Sequence, residues 1–232
     1  MSVDLTSAVS YWPLESNGND SIGTNHLTGI TDTAPTSYSA AKLGNGANFD
    51  VDVPNSMGIA SNSTLQMGSG VAGTWFGWFS YTGDNASAIF AKGSGLTAAT
   101  REYGAAVSGG ALTFSVSNGT TVATATCPDS ISINTLYFFD AWYDGSSTFG
   151  IRVNRGTAGT NTTTLIRSGT GNFWLGFRQT TQWMDGQLDS IGFFKRVLSS
   201  TELDELYNAG AGLEYPWITG NRRRLVLCSA QV

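Results

Sequence analysis

The sequence predicts an all-β protein, an antiparallel two-sheet β-sandwich with one short C-terminal helix. Its 232 residues include 29 glycines, and 12% are aromatic while only 12% are charged. This composition, rich also in Ser, Thr and Asn, is typical of short strands joined by turns. The length suits one sandwich with a full core. We therefore expect one domain over residues 1–212 and a C-terminal extension over residues 213–232.

Alternating or apolar runs bounded by Gly, Asn and Ser predict the strands in order. The segment 74–81 carries large rings on both faces, which is typical of a strand covered on both sides. Turns at Gly109-Gly110, Asn118-Gly119 and Asp144-Gly145 tolerate positive φ and indicate hairpins, hence an antiparallel meander. The predicted strands are 8–14, 41–49, 73–81, 86–92, 102–108, 111–117, 121–126, 136–144, 147–154, 162–167, 172–178 and 186–195.

The segment from Asp185 to Gly210 predicts a last strand, a capped helix and a glycine stop. Ser199 followed three residues later by Glu202 is a capping box that opens a short helix. Gly210 can take the left-handed conformation that ends it. A strand buried partly on both faces is favoured by the apolar residues Leu188, Ile191, Phe193 and Phe194.

This segment resembles the closing strand and helix of laminin-G-like domains of the concanavalin A-like lectin-glucanase superfamily. Three other stretches agree, and together they cover residues 8 to 210 in the family's order. The resemblance implies a concanavalin A-like jelly roll, a fold that hosts many activities. The stretches are Tyr11-Trp12-Pro13-Leu14 with Asn19-Asp20-Ser21, then Gly46-Ala47-Asn48-Phe49-Asp50, then Tyr143-Asp144-Gly145 with Ile151-Arg152-Val153-Asn154.

Charge and hydropathy argue against two classes of partner. The net charge is -5 and the pI is about 4.7, whereas a nucleic-acid partner would require a basic field. No apolar run approaches the roughly 20 residues that a membrane span needs. Cys127 and Cys228 are expected to be unpaired thiols, with a disulfide between them as the alternative.

Catalysis is not expected. The single histidine, His26, lies in a region without a nucleophile motif, and Ser-His or Cys-His chemistry would need it as the base. Glycoside hydrolases of the superfamily place two glutamates and an aspartate alternately on one strand. The nearest approach to that pattern here is Asp185 and Asp189, which lacks a glutamate.

The resemblance implies one structural calcium ion as the cofactor. Members of the superfamily bind calcium at the sandwich edge through carboxylates and backbone carbonyls, which are the hard oxygens it requires. Asp20 and Asp189 match those positions, with Asn45 and Gly46 as carbonyl donors. The alternative is that Asp20 closes an Asx turn and Asp189 hydrogen-bonds neighbouring backbone.

Strand alternation places one set of aromatic and charged side chains on outward faces. Such a set could bind a glycan, because sugars stack on aromatic rings and exchange hydrogen bonds with charged groups. A protein contact favours the same residue types, and simple packing is the third alternative. The set comprises Asp140, Trp142, Arg152, Trp174 and Arg178.

The extension contains Trp217 and the basic run Arg222, Arg223, Arg224. It is either a solvated end or an assembly contact that docks on this domain or on a neighbouring subunit. In the second case the arginines would require acidic partners.

No export segment is apparent at the start of the chain, although laminin-G-like domains usually work outside cells. We therefore expect a non-catalytic structural or surface-accessory protein of a bacteriophage-type virion, made in the host cytoplasm. It would self-associate or bind other virion proteins, with host-surface glycans as further ligands. The alternative is a calcium-supported lectin module of a bacterial surface or secreted protein, and a glycoside hydrolase ranks last.

Overall fold

A computed structural model describes residues 5–28, 37–52, 55–68, 70–83, 86–177 and 182–217. These residues form two antiparallel sheets, so the predicted β-sandwich is confirmed. The larger sheet has the strand order β12, β11, β10, β5, β14, β3, β2, with β1 paired to β14. Its strands are β1 (Ala8–Trp12), β2 (Ser37–Ala40), β3 (Asn45–Phe49), β5 (Gly73–Tyr81), β10 (Tyr137–Tyr143), β11 (Thr148–Val153), β12 (Gly159–Thr162) and β14 (Gly186–Phe194).

The smaller sheet has six strands in the order β4, β13, β6, β7, β8, β9, and every pairing in it is antiparallel. Strands β7, β8 and β9 pair in chain order and form the predicted meander. The strands of this sheet are β4 (Met57–Ile59), β6 (Ser87–Gly93), β7 (Arg101–Ser108), β8 (Ala111–Ser117), β9 (Val122–Ser130) and β13 (Phe173–Leu175).

Aromatic rings fill the space between the sheets because alternate residues of each strand point inward. Trp75 of β5 is fully buried at the centre, with ring centroids 4.1 Å from Phe193, 4.8 Å from Phe90 and 4.9 Å from Phe173. These rings come from both sheets, so their burial joins the two layers.

A second apolar layer covers the outer face of the larger sheet. Helix α1 (Ser200–Tyr207) contributes Leu203 and Leu206, which pack with Phe76, Trp78 and Phe138 of the sheet. The predicted capping box is present, with Ser199 and Glu202 each bonded to the other's backbone. This layer explains why β5 carries large rings on both faces.

The helix does not end at Gly210 as predicted. Asn208 takes the left-handed conformation at φ 48°, and its backbone N–H donates to the carbonyl of Asp204. Asparagine tolerates this conformation because its short polar side chain can bond locally, and here its Nδ2 donates to the carbonyl of Gly212. Gly210 follows with φ 88° in a short 3-10 turn.

Several strand predictions differ from the structure, and two strands were not predicted. The run 41–49 begins with a turn, and β2 lies before it as an unpredicted partner of β3. The strand expected at 162–167 is found at Gly159–Thr162, and β4, with only three residues, was also missed. Strands this short carry too few alternating residues to be distinguished from loops.

Candidate functional site

The outer face of the smaller sheet carries a cavity of about 310 Å³ beside β13. Trp174 lines it from the middle of β13, and the loop before that strand supplies half of the remaining lining residues. The two neighbours of Trp174 on the strand, Phe173 and Leu175, point into the core instead. The lining residues are Gly93, Ser94, Thr170, Gly171, Asn172, Trp174 and Phe177.

Three aromatic rings form one wall of this region. The centroids of Trp174 and Phe177 are 5.3 Å apart in an edge contact, and those of Phe177 and Trp183 are 4.2 Å apart. Alternation predicts Phe177 to point inward, and this prediction is wrong. Gly176 has φ 73° and breaks the alternation, so Phe177 turns outward.

The ring of Trp174 lies directly over Gly58 of the neighbouring strand β4. A β-carbon added at Gly58 would stand 2.4 Å from the Trp174 ring. Only glycine therefore permits the ring to lie flat on this part of the sheet.

Small residues continue the outer face away from Trp174. Successive cross-strand partners in one row are Trp174, Ala91, Gly104, Ser115 and Thr124. Cross-strand partners share a face of the sheet. The cavity therefore opens onto a shallow floor without bulky side chains along this row.

Three polar side chains in the cavity wall are available to a ligand. Asn172, Ser94 and Thr170 line the cavity, and their side chains make no hydrogen bond with any residue that the structure describes. Hydroxyl and amide groups both donate and accept, so these three groups can pair with the hydroxyls of a ligand.

A buried ion pair fixes the loop that carries the cavity. Lys92 Nζ donates to Glu102 Oε1 at 2.9 Å and to the carbonyl of Gly171 at 2.9 Å. Both charged side chains are fully buried, and burial raises the pKa of Glu102 against the lowering effect of Lys92. Gln66 Nε2 holds the same loop by donating to the carbonyl of Gly169 at 2.8 Å.

The predicted outward-facing set does not form one site. Trp174 lies on the smaller sheet, whereas Asp140, Trp142 and Arg152 lie on the outer face of the larger sheet. Alternation assigns a side chain to a face but does not say which sheet its strand joins. Arg178 lies outside the described residues.

Asp140 does not face solvent as a ligand-binding group would. It is completely buried and accepts hydrogen bonds from Arg152 Nε at 2.9 Å and from Arg155 Nη1 at 3.0 Å. Burial raises the pKa of Asp140, and the two guanidinium groups oppose that effect. Trp142 is half-buried and lies 5.4 Å from the Arg152 guanidinium. Arg155, which sequence reasoning missed, links Asp140 to Asp204 of α1.

The two aspartates predicted to bind calcium already have protein partners. Asp20 Oδ1 accepts from the N–H groups of Tyr11, Ile22 and Gly23, and its Oδ2 accepts from the N–H of Asn25. Backbone donors on both oxygens leave few lone pairs for a cation. Asp20 therefore closes the first loop, which is the alternative stated above.

Asp189 is also fully buried and bonded. Its Oδ2 accepts from the N–H of Leu43 at 2.8 Å and its Oδ1 from Ser190 Oγ at 2.6 Å. Burial raises its pKa to about 6. Asn45 uses its N–H and its Nδ2 to bond Glu15, and Gly46 pairs with Ser39 in the sheet.

No group of three His, Cys, Asp or Glu side chains that could hold a metal occurs within the described ranges. The carbonyl ligands expected of Asn45 and Gly46 would have to come from sheet backbone. A calcium ion at this edge stays a prediction.

The described part of the extension packs on this domain. Trp217 has its ring centroid 5.0 Å from Tyr11 and 5.9 Å from Phe194, on the outer face of the larger sheet. Arg222, Arg223, Arg224 and Cys228 lie outside the described residues, while Cys127 is buried. Docking on this domain is therefore found for residues up to Trp217.

His26 has a structural partner. Its Nδ1 accepts the backbone N–H of Asp20 at 3.1 Å, so it belongs to the loop that Asp20 organises. None of the helices in the described part of the chain has the length and apolar character to cross a bilayer.

Solved structures share this fold at low sequence identity. The binding domain of Paraclostridial Mosquitocidal Protein 1 is 12% identical with a TM-score of 0.72, and the match covers 89% of this chain and 53% of that one. Domain 4 of AbnA, an extracellular GH43 arabinanase from Geobacillus stearothermophilus solved with arabinotriose, is 12% identical with a TM-score of 0.66. That match covers 91% of this chain and 100% of that one.

The botulinum neurotoxin serotype D binding domain is 10% identical with a TM-score of 0.64, over 88% of this chain and 51% of that one. This chain thus spans about half of the toxin binding domains it resembles. No family model and no curated protein matches it. These likenesses show the fold, while membership of the laminin-G-like family stays a prediction.

Proposed function

We propose that this domain is a non-catalytic carbohydrate-binding module whose ligand occupies the small-sheet cavity. The observation that carries this proposal is that Trp174 and Phe177 line the same cavity as the unbonded side chains of Asn172, Ser94 and Thr170. Sugars lay their C–H faces on aromatic rings while their hydroxyls pair with amides and hydroxyls. The volume lies at the lower end of the range of roughly 300 to 1,000 Å³ for small-molecule sites, which suits a short stretch of glycan.

Two features of the surroundings support this proposal. The Lys92–Glu102 pair and Gln66 hold the cavity loop before any ligand arrives, so binding does not have to order it. The fold is also that of domain 4 of the arabinanase, which was solved with arabinotriose. One fold hosts many functions, so the cavity carries the proposal and the likeness supports it.

The test is a glycan array followed by calorimetry on the ligands it identifies. Asn172→Ala removes the amide without touching the core, and Trp174→Ala removes the ring; each should weaken binding by at least about tenfold. Trp142→Ala, on the other sheet, is the matched control and should bind as the wild type does. Normal affinity in both cavity variants would place the ligand elsewhere. A wild-type protein that binds no glycan would contradict the proposed function itself.

Where the protein works, on a virion or as a free lectin, is a separate proposal that rests on the sequence. We infer a particle component that is displayed on a bacteriophage-type virion and self-associates, with the extracellular or cell-surface lectin as the alternative. Light scattering on the full chain and on a chain cut after Trp217 tests this, because that cut keeps the packed part of the extension. A discrete oligomer that becomes a monomer after the cut supports assembly through residues 218–232. A monomer in both cases favours the free lectin.

A further inference from the structure

Arg101 is a largely buried cation for which the described residues supply no partner. The residue is 8% exposed. Its guanidinium makes no hydrogen bond or ion pair with any residue that the structure describes. Its Nε is buried and unbonded. Three other arginines are paired, Arg152 and Arg155 with Asp140 and Arg196 with Glu202.

The pairing of strands places Arg101 on the face that carries the cavity. Ala91 of β6 stands opposite Trp174, and Gly93, two residues further along the same strand, lines the cavity. Arg101 is the cross-strand partner of Gly93, and such partners share a face. Arg101 is not itself one of the lining residues, so a ligand in the cavity would reach it past Gly93, which has no side chain.

A register shift explains why the neighbouring acid does not neutralise Arg101. Lys92 of β6 pairs with Tyr103 of β7, and the next residue, Gly93, pairs with Arg101. Glu102, between Tyr103 and Arg101, is therefore the extra residue of a β-bulge. The carboxylate of Glu102 turns to Lys92, which it meets at 2.9 Å. The cavity lining itself contains no carboxylate.

An unpaired charge with so little exposure is costly, because burial in a low dielectric disfavours the charged form. Burial lowers the pKa of Arg101 for this reason, yet an arginine stays protonated in proteins. A planar guanidinium matches a carboxylate in a bidentate geometry. An anionic group on a ligand would therefore relieve the cost that the free protein carries.

We propose that the cavity is selective for acidic glycans, with a sugar ring on Trp174 and its carboxylate on Arg101. This inference rests on the proposed carbohydrate-binding function and names its ligand class. A sulfate ester presents the same charge to the same group, so the test separates the two sources of anion.

The experiment compares trisaccharides of galacturonic acid, of galactose and of sulfated galactose, together with matched neutral and acidic members of a glycan array. The wild type should bind the carboxylated members at least about tenfold more tightly than their neutral counterparts, with the advantage shrinking as salt is raised. Arg101→Met keeps the apolar stem and should reduce that ratio to about one. Trp174→Ala should weaken carboxylated and neutral ligands alike.

Arg152→Met is the matched control, because it removes an arginine from the other sheet and should leave the acid preference unchanged. Circular dichroism confirms that each variant is folded, and Arg101→Lys, which keeps the charge without the fork, should retain part of the ratio. Equal affinity for neutral and carboxylated glycans, or an unchanged ratio in Arg101→Met, overturns this inference while leaving carbohydrate binding intact. A preference for sulfated over carboxylated members overturns the carboxylate assignment. Absence of glycan binding in the wild type removes both proposals.

Discussion

Replacing Glu202, the acid of the capping box, tests how helix α1 is held on the larger sheet. Glu202 Oε2 accepts from the N–H of Ser199 at 2.7 Å and from Arg196 Nη1 at 2.9 Å. The side chain is only 10% exposed. The next turn of the helix carries Leu203 and Leu206 onto the sheet, so the cap and the packing support one another. Replacing Glu202 with Gln keeps the shape and removes the charge.

The size of the effect follows from the pKa of Glu202. Hydrogen bonds from Arg196 are the largest cause that lowers this pKa from 4.5 to about 2, and a shift of that size corresponds to about 3 kcal/mol. Geometry gives a similar figure, since hydrogen bonds to a charged group contribute about 1.5 to 3 kcal/mol, and Gln can keep the capping bond to the N–H of Ser199. We therefore expect Glu202→Gln to lower the free energy of unfolding by about 2 to 3 kcal/mol at neutral pH, which moves a urea midpoint by about 1 M.

The pH dependence has a definite sign. The folded-state pKa of Glu202 is below the unfolded one, so its contribution is present above about pH 4.5 and is lost as the pH falls toward 2. Glu205→Gln is the control, because Glu205 lies on the same helix, is half-buried and has no ion pair within the described part of the chain. Urea unfolding of both variants at neutral pH and near pH 2.5 measures the difference. Equal effects of the two substitutions, or a Glu202 effect that does not shrink in acid, would refute this reasoning.

Three further predictions follow from other contacts. Arg101→Met should raise the free energy of unfolding by about 1 kcal/mol in thermal or urea melts, since it removes a largely buried charge to which the described residues supply no partner; a loss of stability would contradict this. Gly58→Ala should lower it by about 1 to 3 kcal/mol and weaken glycan binding, because the new methyl group meets the Trp174 ring; unchanged melting and affinity would show that the ring moves freely. The hydrogen bonds that Asp20 and Asp189 already accept from the protein predict that calcium gives no heat and that a chelator leaves the melting temperature unchanged; a measurable heat would support the predicted calcium site.

Much of the fold was predictable because it depends on patterns within single segments. Alternation located β5 and β14, and the Ser199 and Glu202 spacing located α1. The ring-rich segment 73–81 also predicted a strand covered on both sides. The cover itself, helix α1 with Trp217, was recognisable only in part, since a packed tail and a solvated one have similar sequences.

The site was less predictable because it depends on which strands become neighbours. Strand alternation predicts correctly that Trp174 faces outward. It also groups Trp174 with Trp142, which lies on the other sheet. Alternation predicts a surface position for Asp140, whereas the structure shows that Arg155 reaches it from the turn after β11. Asn172 comes from an irregular loop, where no periodicity exists to read.

The two outer faces of the sandwich differ in a way that bears on where a ligand can bind. On the larger sheet, α1 and the extension up to Trp217 cover the rings of Phe76 and Trp78 with apolar side chains of the same chain. On the smaller sheet, Trp174 stands beside a floor of small residues and a wall of unbonded polar groups. Apolar cover stabilises the first face by burial. The second face keeps a cavity, and the described residues supply no side-chain hydrogen bond to Ser94, Thr170 or Asn172 and no partner to Arg101. Ser94 and Thr170 are exposed and bond water in the free protein, so they can exchange that water for ligand hydroxyls. The buried Nε of Arg101 has no such partner, and a charge held in this way is a cost that a ligand can relieve. This difference between the faces is the physical reason to look for binding on the smaller sheet first.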